Sequence, residues 1–253
     1  MNGGSRSCTI FYAILFTLRM TIIMDSSYYE YEWDIGYCYP KSNILKNKLN
    51  IIDNKDLLDE AERQITAFKI LDLKMKPFKG NLDTNHLFYI HKYIFEDIYS
   101  WAGKSRCVNI AKGNQFCNCV FIEDKLAEIF IELLDDKYLI GVSQDLISKK
   151  LSYYLSELNA IHPFREGNGR TQRIFIEYLS NVAGFHVDFS DISPEEMIEA
   201  SVDSFFKNYE KMDKIFKKIT KPISKKEQEH FINLIAPKNS DIRKIYSNFK
   251  DKM

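Results

Sequence analysis

Apolar residues recur at helical spacing along most of the chain, which predicts a protein built mainly of α-helices. The segment that begins at Ser193 has a serine at the N-cap, a proline at N1 and a glutamate at N3, a strong helix start. Asp53 can cap the first predicted helix. The six predicted helices cover residues 56–74, 83–98, 123–139, 143–161, 170–183 and 193–217. The fourth has one apolar face, made of Leu146, Leu151, Tyr154, Leu155 and Leu158.

One stretch follows a different pattern. Residues 105–121 carry β-forming side chains on both sides of Lys112-Gly113-Asn114, a turn sequence. The stretch therefore predicts a β-hairpin. Six or more helices with a single hairpin define a mostly α fold.

Composition limits the classes of protein. The chain has 253 residues, of which 45% are hydrophobic and 28% charged, as in an ordinary globular protein. Its 35 Lys and Arg balance its 35 Asp and Glu, so no molecule-wide basic field exists and no nucleic-acid partner is expected. The basic residues after 221 could form a local patch for nucleic acid or a membrane surface, but a solvated helix with a frayed end is preferred.

Five cysteines, odd in number and irregular in spacing, do not form a secreted disulfide framework. Cys107, Cys117 and Cys119 could bind zinc if a fourth ligand joined them, yet their spacing is not that of a zinc finger. Reduced cysteines in a cytoplasmic protein are the preferred interpretation.

The N-terminal region is the least regular part of the sequence. Residues 10–24 are apolar but interrupted by Arg19, and a membrane-spanning helix needs about 20 apolar residues. Three interpretations stay open: a weak signal or anchor, a helix packed on the body, or translation starting at Met20 or Met24, which is favoured. The predicted division is an N-terminal arm over 1–39, a main domain over 40–217 and a basic helical extension or tail over 218–253. No membrane association is expected.

The chemistry lies between the fourth and fifth helices, in residues 162–173. Pro163 disfavours helix at His162, so the fourth helix should end there. Gly167 and Gly169 permit backbone conformations closed to other residues. A glycine-rich loop that enters a helix directs backbone N–H groups at the positive end of the helix dipole, which predicts an anion site.

The charged residues of this loop indicate nucleotide chemistry. Arg170 and Arg173 are three residues apart and are expected to share a helix face, where two guanidinium groups suit a polyphosphate. Glu166 beside phosphate requires a divalent cation, and Mg²⁺ accepts few carboxylates together with phosphate oxygens. His162 can accept a proton from an attacking hydroxyl. Together these groups predict nucleotide-dependent group transfer.

The segment His162-Pro-Phe-Arg-Glu-Gly-Asn-Gly-Arg-Thr-Gln-Arg173 resembles the Fic family motif H-x-F-x-[D/E]-G-N-G-R-x-x-R at every defined position. The resemblance extends over about residues 40–217. It includes 43–73, Trp101-Ala-Gly-Lys104, Val108-Asn-Ile-Ala-Lys-Gly113 and 194–201, and it is closest to Fic proteins of bacterial toxin and effector type.

The resemblance implies a protein adenylyltransferase, which moves AMP from ATP to a Ser, Thr or Tyr hydroxyl of a target protein and releases pyrophosphate. His162 would be the general base, Glu166 the Mg²⁺ ligand, and Phe164 an anchor of the loop in the core. Arg170 would hold the β-phosphate and Arg173 the γ-phosphate. The nucleotide-binding set implied in this way is Lys112, Gly113, Arg165, Glu166, Gly167, Asn168, Gly169, Arg170 and Arg173.

The hairpin over 108–121 resembles the family's flap, which docks a target segment by strand addition and brings Lys112 and Gly113 close to the nucleotide. Arg173 favours AMP transfer, because the kinase-like members depart at that position. Transfer of phosphocholine stays an alternative, and so does a catalytically silent interaction module on the same fold.

Many Fic proteins are inhibited by a helix with the motif [S/T]-x-x-x-E-[G/N], whose glutamate pairs with the second arginine. In this chain Ser26 to Glu30 has the spacing, but Tyr31 follows where Gly or Asn is needed. The chain therefore resembles members inhibited by a separate small antitoxin, which would supply a glutamate to Arg173. The sequence leaves the target protein and delivery into another cell open.

Overall fold

A computed structural model describes residues 30–31 and 36–251, and the fold is mostly α. The predicted apolar run at 10–24, Trp33 and Cys8 lie outside these residues. Within the described part of the chain there are nine α-helices: α1 Lys55–Met75, α2 Thr84–Phe95, α3 Ile122–Asp135, α4 Gln144–Ile161, α5 Asn168–Ala183, α6 Pro194–Phe205, α7 Glu210–Ile219, α8 Lys225–Ile235 and α9 Asp241–Lys250. No helix in this part is long and apolar enough to cross a membrane.

Five short strands accompany the helices in the residues that the structure describes. They are β1 Glu30–Tyr31, β2 Ile110–Lys112, β3 Asn114–Gln115, β4 Phe185–Val187 and β5 Thr220–Pro222. The predicted hairpin is confirmed: β2 and β3 pair antiparallel, with Lys112 opposite Asn114 and Gly113 in the turn. β1 adds to the other edge of β2, with Tyr31 opposite Ile110. β4 and β5 form a separate antiparallel pair.

Local capping explains where several helices begin. The predicted capping box of α6 is present, with Ser193 and Glu196 bonded reciprocally. Asp83 caps α2 by accepting from the His86 N–H. The expectation that Asp53 caps α1 is wrong: Asn54, one residue later, accepts from the N–H of Leu57.

Two predicted helices end early because the backbone enters the left-handed region. The predicted helix 193–217 is two helices, since Lys207 has φ +63° and the chain turns before α7. The predicted helix 123–139 stops at Asp135, because Lys137, Tyr138 and Leu139 all have positive φ. A helix cannot continue through such residues, and no glycine or proline at these positions signals the break in advance.

The core surrounds α5, of which 13 of 16 residues are buried. Helices α2, α4 and α8 pack against it, so the helix that begins at the motif loop has little freedom to move. Leu146, predicted on the apolar face of α4, is instead 52% exposed, whereas Leu151, Tyr154, Leu155 and Leu158 are buried as expected.

The regions that flank the main domain also join the core. Tyr37, from the predicted arm, is buried with its ring edge-on to Trp101. In the predicted extension, α8 contributes Ile232 and Ile235 and α9 contributes Ile242 to the same apolar cluster.

Candidate active site

The motif loop joins the C-terminal end of α4 to the N-terminal end of α5. His162 ends α4 in a left-handed conformation, φ +49°, as Pro163 predicts, and its N–H still bonds to the Leu158 carbonyl at 3.0 Å. Gly167 begins α5 at φ +81°, and a Cβ there would lie 2.1 Å from the Phe95 ring. Only glycine satisfies both the backbone angle and this close approach.

The inner side of the loop is fixed in the core. Phe164 is fully buried and stacks on His91 at 3.7 Å between ring centroids, so its predicted role as an anchor is supported. Asn168 bonds to both backbone groups of Phe164: its Oδ1 accepts from the N–H at 2.8 Å and its Nδ2 donates to the carbonyl at 2.7 Å. The Asn168 side chain thus closes the loop.

His91 ties the loop to the turn at Trp101-Ala102-Gly103. Its Nδ1 accepts from the N–H of Gly103 at 2.8 Å, so Nε2 carries the proton and donates to the Glu166 carbonyl at 3.0 Å. Burial lowers the pKa of His91 to about 3. His91 is therefore neutral near pH 7 and has a structural role.

The two motif arginines diverge although they are three residues apart. Arg170 is buried and points to α1, where it pairs with Glu62 at 2.5 Å and donates to the Thr66 hydroxyl at 3.1 Å. Glu62 also accepts from the Tyr99 hydroxyl, and burial of Tyr99 raises its pKa well above the usual value. Arg173 lines the cavity beside His162. The expected shared face is thus split between the core and the cavity.

The orientation of the His162 ring suits a general base. Its Nδ1 lies 3.2 Å from the Asn159 carbonyl, and because a carbonyl only accepts, Nδ1 holds the proton and Nε2 is the basic nitrogen of the neutral ring. Phe116, from the hairpin, stacks on the imidazole at 3.8 Å between centroids. Both contacts restrict rotation of the ring.

A cavity of about 190 Å³ opens beside His162. Its lining combines polar groups, among them His162 and Arg173, with largely apolar side chains from α6. The lining residues are Lys112, Asn114, Phe116, Leu155, Asn159, His162, Gly169, Gln172, Arg173, Met197, Ile198, Ser201, Val202 and Phe205. An apolar slot that ends in cationic groups at a helix N-terminus suits a flat base with a phosphate chain.

Of the predicted site residues, Lys112, His162, Gly169 and Arg173 line this cavity. Gly113 lies at the tip of the hairpin with open space around it. Arg165 is almost fully buried, with its guanidinium 5.8 Å from the centre of the Tyr37 ring. The predicted contacts of Arg165, Gly113 and Arg170 with nucleotide stay predictions.

Glu166 lies where the loop meets α5. One carboxylate oxygen accepts from the Gly167 N–H at 3.0 Å and lies 3.7 Å from the Arg170 guanidinium. Within the described residues no three His, Cys, Asp or Glu side chains are grouped to hold a metal, and this includes the cysteines near the hairpin. A single carboxylate fits Mg²⁺ that takes its other ligands from phosphate and water. It does not fit a metal held by protein alone.

Two residues of the site were not anticipated from the sequence. Glu62 binds Arg170 from 108 positions away, and Arg106 bonds to the carbonyl of His162 from 56 positions away. No local pattern marks such long-range partners.

The fold and this site define a Fic protein. Residues 81–180 match the Fic/DOC family, and the chain belongs to that family. It is 39% identical over 170 residues to "Probable protein adenylyltransferase y4lH" of Sinorhizobium fredii, which covers 66% of this chain and 86% of that protein. It is 36% identical over 183 residues to "Protein adenylyltransferase VbhT" of Bartonella schoenbuchensis, which covers 72% of this chain but 38% of VbhT.

A solved structure agrees with the fold. The VirB-translocated effector BepC of Bartonella tribocorum, crystallised with bound AMPPNP, aligns with a TM-score of 0.69 and 28% identity, over 74% of this chain and 97% of that one. AMPPNP is a triphosphate nucleotide analogue, so that relative holds a nucleotide on this fold.

Proposed function

We infer that this chain is a protein adenylyltransferase, which transfers AMP from ATP to a hydroxyl side chain of a target protein and releases pyrophosphate. One observation carries the inference: an imidazole with its Nδ1 bonded to a carbonyl lines the same cavity as Arg173 and the first turn of α5. This arrangement places a base, an anion site and a guanidinium around one small volume.

His162 acts as the base. Its Nε2 takes the proton of the incoming hydroxyl as the oxygen forms a bond with the α-phosphorus of ATP. The bond from that phosphorus to the bridging oxygen breaks, and pyrophosphate leaves with the electron pair. A positioned base of this kind contributes typically about 10²–10⁴ in rate.

The phosphates are held at the N-terminal end of α5. Gly169 leaves room there, since a Cβ would lie 3.2 Å from the Arg173 guanidinium. Backbone N–H groups of Asn168 and Gly169 and the Arg173 side chain face the negative charge that builds up on the leaving pyrophosphate. Glu166 would hold Mg²⁺ against the phosphates, and the metal would supply charge neutralisation there.

The target docks on the hairpin, from which Lys112 and Phe116 reach the cavity and the base. Strand addition to the hairpin would present a hydroxyl of the target toward His162. We also propose regulation by a separate small protein that brings a glutamate to Arg173. The support is that the inhibitory motif does not occur within these 253 residues and that Arg173 lines the cavity.

We propose that the chain acts in the cytoplasm, either of the cell that makes it or of a cell that receives it. The second setting is supported by the similarity to BepC, which is described as a translocated effector.

Labelling with radioactive ATP tests the activity. Incubation with bacterial or host-cell lysate and ATP labelled on the α-phosphate should give labelled protein bands, whereas ATP labelled on the γ-phosphate should not. His162→Ala should remove the bands. Label from the γ-phosphate would indicate phosphorylation, and no label with either ATP, in any lysate, would contradict the proposed function.

A further inference from the structure

We propose that Arg106 is a positioning residue for the transfer reaction, one that holds the hairpin in register with the base His162. The proposal rests on the proposed function. Arg106 is 2% exposed, and its guanidinium connects two elements that must keep a fixed relation during transfer.

On one side, Arg106 binds the C-terminal end of α4. Its Nε donates to the His162 carbonyl at 2.8 Å, and its Nη2 donates to the Ile161 carbonyl at 3.3 Å. Its own backbone N–H donates to the Pro163 carbonyl at 2.8 Å. A cation at the end of a helix that presents unpaired carbonyls is favourable, and here the last of these carbonyls belongs to the base itself.

On the other side, the same guanidinium binds the chain that flanks the hairpin. Nη1 donates to the Val108 carbonyl at 2.7 Å, and Nη2 also donates to the Cys117 carbonyl. These residues lie just before β2 and just after β3. The planar group with its fixed N–H directions thus spans both ends of the hairpin and the residue that carries the base.

The consequence follows from what the hairpin carries. Phe116 stacks on the His162 ring and Lys112 lines the cavity. A shift of the hairpin relative to α4 would therefore move the docked hydroxyl away from Nε2, while the wall from α6 and the first turn of α5 would stay in place. Displacement of this kind affects transfer more than nucleotide binding.

The experiment compares Arg106→Lys with the wild type. Lysine keeps the charge but cannot reach four carbonyls in fixed directions. The probes are a protein band that the wild type labels from α-labelled ATP and a fluorescent, non-hydrolysable ATP analogue. We expect labelling to fall about 10- to 100-fold and affinity for the analogue to fall by a clearly smaller factor, about three- to tenfold, because Lys112 of the hairpin is only one of several groups around the nucleotide.

Tyr37→Phe is the matched control. Its hydroxyl accepts from the neighbouring Cys107 N–H at 3.3 Å but does not connect the hairpin to the base, so labelling should stay near the wild-type rate. Unchanged labelling in Arg106→Lys would overturn the proposal, and so would equal losses of labelling, nucleotide affinity and thermal stability. If the wild type labels nothing, the proposed function fails instead.

Hydrogen exchange on the wild type gives a second test if the lysine variant does not fold. The amide hydrogens of residues 108–117 and 159–162 should exchange together, as one cooperative unit. Independent opening of the hairpin while the end of α4 stays protected would contradict the role given to Arg106.

The strand pairing supports a second inference, again resting on the proposed function: we propose that β1 competes with the target for the hairpin. Within the described residues, β2 has β3 on one edge and β1 on the other. A target strand that adds to β2 must therefore first displace residues 30–31 of the same chain.

Proline tests this competition, because it lacks the N–H that a strand donates. The double variant Glu30→Pro/Tyr31→Pro should weaken β1 and raise labelling of the target band by about threefold or more, since the binding edge is then open for more of the time. Glu30→Ala/Tyr31→Ala keeps both N–H groups and should label like the wild type. Equal or lower labelling by the proline variant would overturn this second inference.

Discussion

The two sides of the motif loop differ in what they contact. On the inner side, Phe164, Asn168 and Arg170 are buried and bonded to the loop backbone or to α1. On the outer side, His162 and Arg173 line the cavity. The same twelve residues therefore hold the fold and carry the proposed chemistry. The two tasks are divided by side of the chain and not by position in the motif.

This division explains how a small loop can orient a base accurately. The inner side holds the loop through bonds within the protein itself, so the fold organises the outer side. It also means that substitutions in the motif should fall into two groups, one that lowers activity and one that lowers stability.

The largest effect is expected on the outer side. His162→Ala should lower AMP transfer by about 10²–10⁴-fold, because the proton acceptor is lost. Thermal unfolding should change less than activity, since the ring lines the cavity and does not fill the apolar core. Labelling from α-labelled ATP and a thermal melt measure the two properties. Full activity in the alanine variant would remove His162 from the mechanism.

The arginine pair gives the sharpest comparison. Arg170→Ala should lower the free energy of unfolding by about 3 kcal/mol, because the Glu62 side chain, only 13% exposed, loses its cation. Arg173→Ala should melt close to the wild type but transfer AMP more slowly, through weaker alignment of the phosphates. Denaturant unfolding and labelling from α-labelled ATP distinguish the two variants. A loss of stability of similar size in both would contradict the division of the loop into an inner and an outer side.

A glycine pair tests the inner side separately. Gly167→Ala should destabilise the protein by about 2 kcal/mol or more, since the new Cβ would meet the Phe95 ring at 2.1 Å in a left-handed backbone. Gly113→Ala, at φ +72° in open space, should cost only about 1 kcal/mol of backbone strain. Denaturant unfolding of both variants measures the difference, and equal losses would show that Phe95 does not confine the loop.

The buried histidines should make stability depend on pH. Burial lowers the pKa of His91 to about 3 and of His86 to about 4, so both rings are neutral in the folded protein at pH 5. In the unfolded chain the same rings gain a proton below about pH 6.5. The stability that these two neutral rings contribute is fully present above about pH 6.5. It is lost as the pH falls toward their pKa values in the folded protein. At pH 5 each histidine should cost about 2 kcal/mol.

Denaturant unfolding at pH 7 and pH 5 measures this loss. His186→Gln changes an exposed ring and should leave the pH dependence as it is in the wild type. His91→Gln should lower stability at pH 7 and remove about half of the dependence. An equal loss between pH 7 and pH 5 in His91→Gln and the wild type would mean that His91 is not buried neutral.

Much of the architecture could be predicted from local signals. The capping box at Ser193, the hairpin turn at Gly113 and the end of α4 at Pro163 each depend on neighbouring residues, and each prediction is confirmed. The motif itself is contiguous, so a base and a phosphate site could be proposed directly from residues 162–173, and these roles stay predictions.

The rest depends on contacts between distant residues. Nothing near Arg170 in sequence indicates that Glu62 draws it into the core, and nothing near Arg106 indicates that it binds the end of α4. The break at Lys207 likewise comes from packing of α6 and α7 against α4, which overrides a residue that favours helix.

A crystal structure with Mg²⁺ and a non-hydrolysable ATP analogue tests the central claim most directly. We predict that the nucleotide's adenine ring lies against α6 and its phosphates at the first turn of α5 beside Arg173. The α-phosphorus should then lie within reach of His162 Nε2. A nucleotide bound elsewhere, or bound in this cavity with its phosphates directed away from His162, would contradict it.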